Sequence, residues 1–267
     1  ILAGLNSYGT TEILETERSR DHTENILRNN KKVIQISNDR QKIIKVFGKK
    51  YLEPLRINVS GDPSAAAFFT ALTLLNNKSS LKIKNVGLNP TRTGFFNILK
   101  KQGAYIKIRN IKKENNEIKG DIFVKSSKIK PIRATKDYYV NSTDEYPILF
   151  VIAGLTKGVS VFKGIKDLAN KESNRISEMQ KVLKQVGIKT FATKDGLKIF
   201  GKGLIKANHK RIVVPKLGDH RICMSSFILA LLTGAKTKIK SFETVYTSSP
   251  SFLKIMKSLG AKFETQR

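Results

Sequence analysis

Three short stretches of this 267-residue chain carry clustered charged side chains, carboxylates in Asp144-Glu145-Tyr146-Pro147 and both signs in Lys171-Glu172-Ser173-Asn174-Arg175 and Gly218-Asp219-His220-Arg221. An arginine fork binds carboxylate or phosphate bidentately, a lysine adds a point charge, and carboxylates can carry protons. The combination fits acid–base chemistry on small polyanions. If Asn170 caps a helix, Lys171 and Arg175 lie four apart on one face of its first turn, where the helix dipole reinforces their charge. Asp62, Asp144 and Asp219 each precede an apolar run, at the place of an N-cap, and Asp62 stands directly before Pro63. Capping alone explains such aspartates, and a basic helix end alone explains Lys171 and Arg175. Several helix N-termini meeting in one cleft would instead make an anion site. His22, His209 and His220 lie far apart with no second ligand at zinc-like spacing, so no metal and no other cofactor is expected.

The elements that must position these residues recur along the chain. An acidic opener, an apolar helix and a strand run from Asp62 to Leu75 and Ser80 to Val86, again from Asp144 to Leu155 and Val159 to Ile165, and again from Asp219 to Leu232 and Thr237 to Phe242. Ile1 to Leu5 with Thr10 to Leu14 looks like a further copy lacking its start. After each first element come a polar turn, an amphipathic helix, a glycine and a strand. The glycines are Gly103, Gly187 and Gly260, placed where a helix takes a left-handed C′ residue. Gly103 to Gly187 is 84 positions and Gly187 to Gly260 is 73, too long for a solenoid, so the repeat is a whole subdomain.

Composition narrows the class. An apolar fraction of 40% is ordinary for a globular protein, and runs such as Ala65 to Leu75 and Ile222 to Leu232 are too short to span a bilayer. The single cysteine, Cys223, lies in an apolar run, reads as a buried structural thiol and fits a reducing cytoplasm. A net charge of +29 raises nucleic-acid binding. The lysines, however, are spread along the chain without a basic block or interleaved aromatics, so solvated faces account for them. Neither nucleic acid nor membrane is expected as a partner. The opening Ile1-Leu2-Ala3-Gly4-Leu5 reads as the middle of an apolar helix, and more chain is expected upstream.

The three stretches, with Asn89-Pro90-Thr91-Arg92-Thr93-Gly94 and Ser19-Arg20-Asp21-His22-Thr23-Glu24, resemble motifs of the EPSP synthases, in the family's order and across essentially the whole chain. The resemblance implies an α/β, two-globule enolpyruvyl transferase fold built from repeated βαβαββ subdomains. The first globule would be only partly present: residues 1–57 would be its carboxy-terminal remnant, and 58–267 most of the second globule, with three subdomains. It implies a cytoplasmic transferase, monomeric at full length. Its reaction moves the enolpyruvyl group of phosphoenolpyruvate to the 5-hydroxyl of shikimate 3-phosphate, a step of the shikimate pathway to chorismate and the aromatic amino acids. The Ser-Ala-Gln, Gly-Ser-Lys-Ser and Asn-Ala-Gly-Thr segments of the family are expected upstream, so these 267 residues alone are expected to be inactive.

The resemblance also assigns roles. Asp144 is implied as base at the attacking hydroxyl and Glu172 as acid at the methylene, a role that needs local desolvation. Arg175 and Arg221 would hold phosphoenolpyruvate, Lys171 shikimate 3-phosphate, and Arg20 the sugar phosphate from the other globule. His220 would support Arg221. Asn174 departs from the family's aspartate, Ala169-Asn170 from Arg-Val, Cys223 from alanine, Ser249 from phenylalanine, and Thr247 from a lysine in some members. The rivals are a UDP-N-acetylglucosamine enolpyruvyl transferase, whose motifs differ here, and a basic nucleic-acid-binding repeat protein.

Overall fold

In the first part of the chain, helix α1 (Leu2–Asn6) leads into strand β1 (Thr10–Glu15). Helix α2 (His22–Leu27) then precedes strands β2 (Ile34–Asn38) and β3 (Lys42–Phe47). The computed structural model describes residues 1–38 and 41–265; Asp39 and Arg40, and Gln266 and Arg267 at the end of the expected second globule, lie outside the described residues. The three strands form an antiparallel sheet of order β1-β3-β2. Leu27, Val33, Ile34, Ile44 and Val46 make a small core beneath it.

A separate, larger core extends from Ala66 to Met256 and is organised by the repeat. The first unit holds α3 (Pro63–Leu75), β4 (Ser80–Gly87), α4 (Gly94–Lys101), β5 (Tyr105–Glu114) and β6 (Glu117–Lys125). Its sheet order is β4-β6-β5, and Gly61 bridges Val86 in parallel, where a strand leading into α3 belongs. The second unit has β7 (Arg133–Ala134), the short α5 (Tyr139–Ser142), α6 (Tyr146–Gly154), β8 (Gly158–Phe162), α7 (Arg175–Gln185), β9 (Lys189–Ala192) and β10 (Leu197–Gly201). Its sheet order is β7-β8-β10-β9, so β7-α6-β8-α7-β9-β10 is a βαβαββ unit with its first pair of strands parallel. The third unit pairs β11 (Arg211–Val214) in parallel with β12 (Lys236–Ile239) across α8 (His220–Thr233). Helices α9 (Thr244–Ser248) and α10 (Phe252–Ser258) follow.

A helix that is apolar all round must be covered on every side. Helices α3, α6 and α8 meet that condition by packing against one another at the centre, and every residue of α6 is buried. The amphipathic α4, α7 and α10 each end two residues before a glycine in the left-handed region, with φ of +94° at Gly103, +82° at Gly187 and +92° at Gly260. A β-carbon would strain that conformation, which explains glycine at all three copies.

Polar contacts tie the first part to the second. The Asn25 amide donates to Glu117 Oε1 at 3.0 Å, His22 Nδ1 lies 3.0 Å from the same oxygen, and Asn89 donates to Asp21 Oδ1 at 2.7 Å. No helix among the described residues is long and apolar enough to cross a membrane.

Candidate active site

The central helices present their N-terminal ends near one another, and the charged motifs sit there. Asp219 caps α8, accepting from the backbone N–H of Arg221 at 2.9 Å and of Ile222 at 3.4 Å. Asp62 caps α3 in the same way, through Ser64 and Ala65, with Pro63 at the first helical position.

Asp144 is not a cap. It lies in a 3-10 turn, Thr143–Glu145, that runs directly into α6. No extended residue stands between turn and helix for a side chain to fold back from, and Pro147 has no N–H to satisfy. The Asp144 carboxylate therefore faces outward. Arg20 donates to its Oδ2 at 2.6 Å, Arg175 Nη1 stands 3.6 Å from Oδ1, and Arg221 Nη2 stands 3.8 Å from Oδ2. Burial works to raise its pKa, but Arg221, Arg20 and Arg175 together outweigh this and hold it at about 2.

The expected cap at Asn170 is also corrected. Helix α7 begins at Arg175 and is capped by Asn174, whose side chain accepts from the Ser177 N–H at 3.0 Å. The apolar face of α7, Met179, Val182 and Leu183, dictates this start, because it is one helical stripe counted from Arg175. Asparagine caps as well as aspartate, so the departure at Asn174 preserves the helix end. Lys171 lies before the helix in extended conformation and does not share a helical face with Arg175. Its Nζ pairs instead with Asp167 at 2.7 Å, and Asp167 also accepts from Tyr139 Oη at 2.7 Å.

Among the described residues Arg175 is the most enclosed cation, 1% exposed. Its Nε donates to Asp219 Oδ2 at 3.0 Å and its Nη2 to Glu172 Oε2 at 2.6 Å. Ser173 donates to the same Asp219 oxygen at 2.9 Å. Arg175 Nη1 and Arg221 Nε are buried without a hydrogen-bond partner in the protein. Two enclosed cationic donors left open in this way can receive the oxygens of an anion. Glu172 is half exposed and paired with Arg175 rather than enclosed in apolar surroundings. His220 has its pKa lowered by burial first and by Arg221 next, consistent with a neutral ring packed beside that arginine. Burial pushes the Cys223 thiol up to about 11, as fits a structural cysteine.

The fold thus brings Arg20, Asp144, Glu172, Arg175 and Arg221 into one ion-pair network and leaves Lys171 on its own partner, Asp167. Reasoning from the sequence read Asp219 as a helix cap and missed it as the counter-ion of Arg175. Its place two residues before Arg221 in the same motif was the available signal. No group of three or more metal-ligating side chains among the described residues is arranged to hold a metal ion.

Repeated βαβαββ units around buried helices, with three arginines gathered on one aspartate, define an α/β protein of the enolpyruvyl transferase fold. The fold is shared with the enolpyruvyl transferase NikO from Streptomyces tendae, at a TM-score of 0.70 and 14% identity over 98% of this chain and 58% of that one. EPSP synthase from Acinetobacter baumannii is more similar, with a TM-score of 0.88 and 35% identity over 100% of this chain and 60% of that one. The family model for EPSP synthase (3-phosphoshikimate 1-carboxyvinyltransferase) matches residues 1–256. The 3-phosphoshikimate 1-carboxyvinyltransferase of Zymomonas mobilis is 37% identical over 99% of this chain and 59% of its own length. That of Petrotoga mobilis is 39% identical over 97% and 59%. The chain belongs to the EPSP synthase family. It spans about 59% of the length of these curated relatives.

Proposed function

We propose that this chain carries much of the active site of an enzyme that transfers the enolpyruvyl group of phosphoenolpyruvate to the 5-hydroxyl of shikimate 3-phosphate. The observation that carries the reading is the cluster of Arg20, Arg175 and Arg221 around Asp144, with two buried guanidinium donors open. Phosphoenolpyruvate fits Arg175 and Arg221 through its carboxylate and phosphate, while Arg20 reaches the sugar phosphate. Lys171 joins the shikimate 3-phosphate side once it exchanges Asp167 for substrate.

The free site holds Asp144 ionised. Anions bound to Arg175 and Arg221 neutralise the charges that hold its pKa down, so its proton affinity rises as substrates bind. Asp144 then takes the proton of the 5-hydroxyl while that oxygen bonds to the central carbon of phosphoenolpyruvate. Glu172, desolvated as substrates close over it, gives a proton to the methylene carbon. In the second half the deprotonated Glu172 takes a proton back from the new methyl group, the carbon–carbon double bond re-forms as the carbon–oxygen bond to phosphate breaks, and the Asp144 proton accompanies the departing phosphate.

In this reading residues 1–57 belong to one globule and 58–267 to the other; the two separate apolar cores support that division. Dispersed surface lysine and a buried lone thiol support a monomeric cytoplasmic enzyme without nucleic-acid or membrane partners. The test joins this chain to the amino-terminal part of a relative and measures phosphate release from the two substrates. Activity is expected, with Asp144→Asn and Arg221→Ala each lowering kcat at least about 100-fold. Full activity in Arg221→Ala would overturn the assignment.

A further inference from the structure

Glu145 follows Asp144 in the same 3-10 turn, yet it points the opposite way, into the protein. It is 2% exposed and accepts a hydrogen bond from Ser64 Oγ near the start of α3. Ser64, fully buried, accepts in turn from Arg92 Nη2 at 2.8 Å. Arg92 also donates to Asp62 Oδ1 at 2.8 Å, and Asp62 is the cap of α3. The turn carrying Asp144 is therefore fastened to a second central helix through one buried carboxyl. None of these contacts belongs to the steps assigned above.

We infer that Glu145 is a positioning residue that anchors the Asp144 turn through Ser64 and Arg92, and whose own charge sets how strongly the Arg175–Arg221 site attracts an anion. The inference rests on the anion-site reading of the previous subsection. An ionised Glu145 subtracts one positive charge from surroundings that already hold Asp144 beside it. The charged groups facing it are Arg221 from α8, Arg92 from the Pro90–Arg92 turn, which is itself paired with Asp62 at the head of α3, and Asp144 from its own turn; its neighbour Tyr146 is also titratable. The Glu145 pKa is raised to about 7, by burial first and by Asp144 in smaller part, against the Ser64 hydrogen bond, Arg221 and Arg92, which pull it down. An anion bound at Arg175 and Arg221 repels ionised Glu145 and so favours its proton. By linkage, the anion binds more tightly as pH falls through that range.

Sulfate is the suitable probe, since it stays dianionic across it. Binding to the 267-residue chain is followed by NMR titration at constant ionic strength from pH 5.5 to 8.5, and the site-specific component is the part lost in Arg221→Ala. Affinity is expected to rise about two- to fivefold from pH 8 to pH 6, as follows from a coupling of about half to one pKa unit. Glu145→Gln, which keeps the shape and removes the charge, is expected to flatten this slope, and His220→Asn is expected to leave it. Ser64→Ala removes a bond that favours the ionised carboxyl, so the midpoint of the slope should move to higher pH, a shift that a purely structural contact would not produce. An unchanged slope in Glu145→Gln, a slope lost in His220→Asn instead, or an unmoved midpoint in Ser64→Ala overturns the inference while the anion site stands. Absence of any Arg221-dependent sulfate binding overturns both.

Discussion

Asp219 shows how much one side chain can hold. It caps α8, neutralises Arg175 and accepts from Ser173, all while 0% exposed. Removing one member of a buried pair leaves the other charge without compensation. Asp219→Ala is accordingly expected to destabilise the protein by about 3–5 kcal/mol in urea unfolding. A loss under about 1 kcal/mol, no more than a helix cap is worth, would show that Arg175 finds another counter-ion. The two neighbouring carboxyls in the Thr143–Glu145 turn predict opposite pH dependences. Asp144 has its folded pKa below the unfolded value, so its contribution is present above the ordinary value of 3.8 and is lost as pH falls toward about 2. Glu145 has its folded pKa raised from 4.5 to about 7, so the folded state holds the extra proton and stability falls as pH rises through that window. Urea midpoints compared at pH 4.5 and 7.5 are expected to show this fall in the wild type and a smaller one in Glu145→Gln.

Among the elements, α7 separates two readings of one segment. Asn170 and Asn174 are both cap-type residues in this segment, but of the two only Asn174 has its side chain on a free N–H of the first turn. Asn174→Ala is expected to cost about 1 kcal/mol in thermal or urea unfolding, Asn174→Asp about nothing, and Asn170→Ala little. Equal losses at 170 and 174 would contradict the helix start at Arg175. The position of that start matters for the site. It places Arg175 in the first turn, directed at Asp219 on the neighbouring α8, and leaves Lys171 outside on an extended segment that can exchange Asp167 for a ligand.

For the whole molecule, one contact at the site crosses from the first part of the chain to the second: Arg20 to Asp144, 124 positions apart. The polar contacts of His22 and Asn25 with Glu117, and of Asp21 with Asn89, hold the same two parts together nearby. Catalysis of this kind depends on closing fixed donors around both substrates and excluding water. The relatives are longer than this chain, and each fixed electrostatic donor is typically worth about 3 kcal/mol at the transition state. The 267-residue chain by itself is therefore expected to give no measurable turnover, while the Arg221-dependent anion binding persists. Turnover by the purified chain, free of host enzyme, would show that the half-site described here suffices.

The repeat was legible in the sequence because its signals are local: apolar runs at Asp62, Asp144 and Asp219, and glycines 103, 187 and 260 where the backbone turns left-handed. The candidate residues were legible because charged types cluster within motifs a few positions long. What each charge faces was not, since partners lie far apart in the chain: Arg175 meets Asp219 44 positions away, and Glu145 meets Ser64 81 positions away. The same holds for caps. Aspartate before an apolar run is a local pattern, and it described Asp62 and Asp219 correctly. At Asp144 three arginines from distant segments supplied a stronger partner than a helix end could, and the preceding turn left no N-cap geometry to fill. Local backbone preferences belong to the sequence, whereas the balance of desolvation and charge at a buried group is set only when tertiary structure fixes its neighbours.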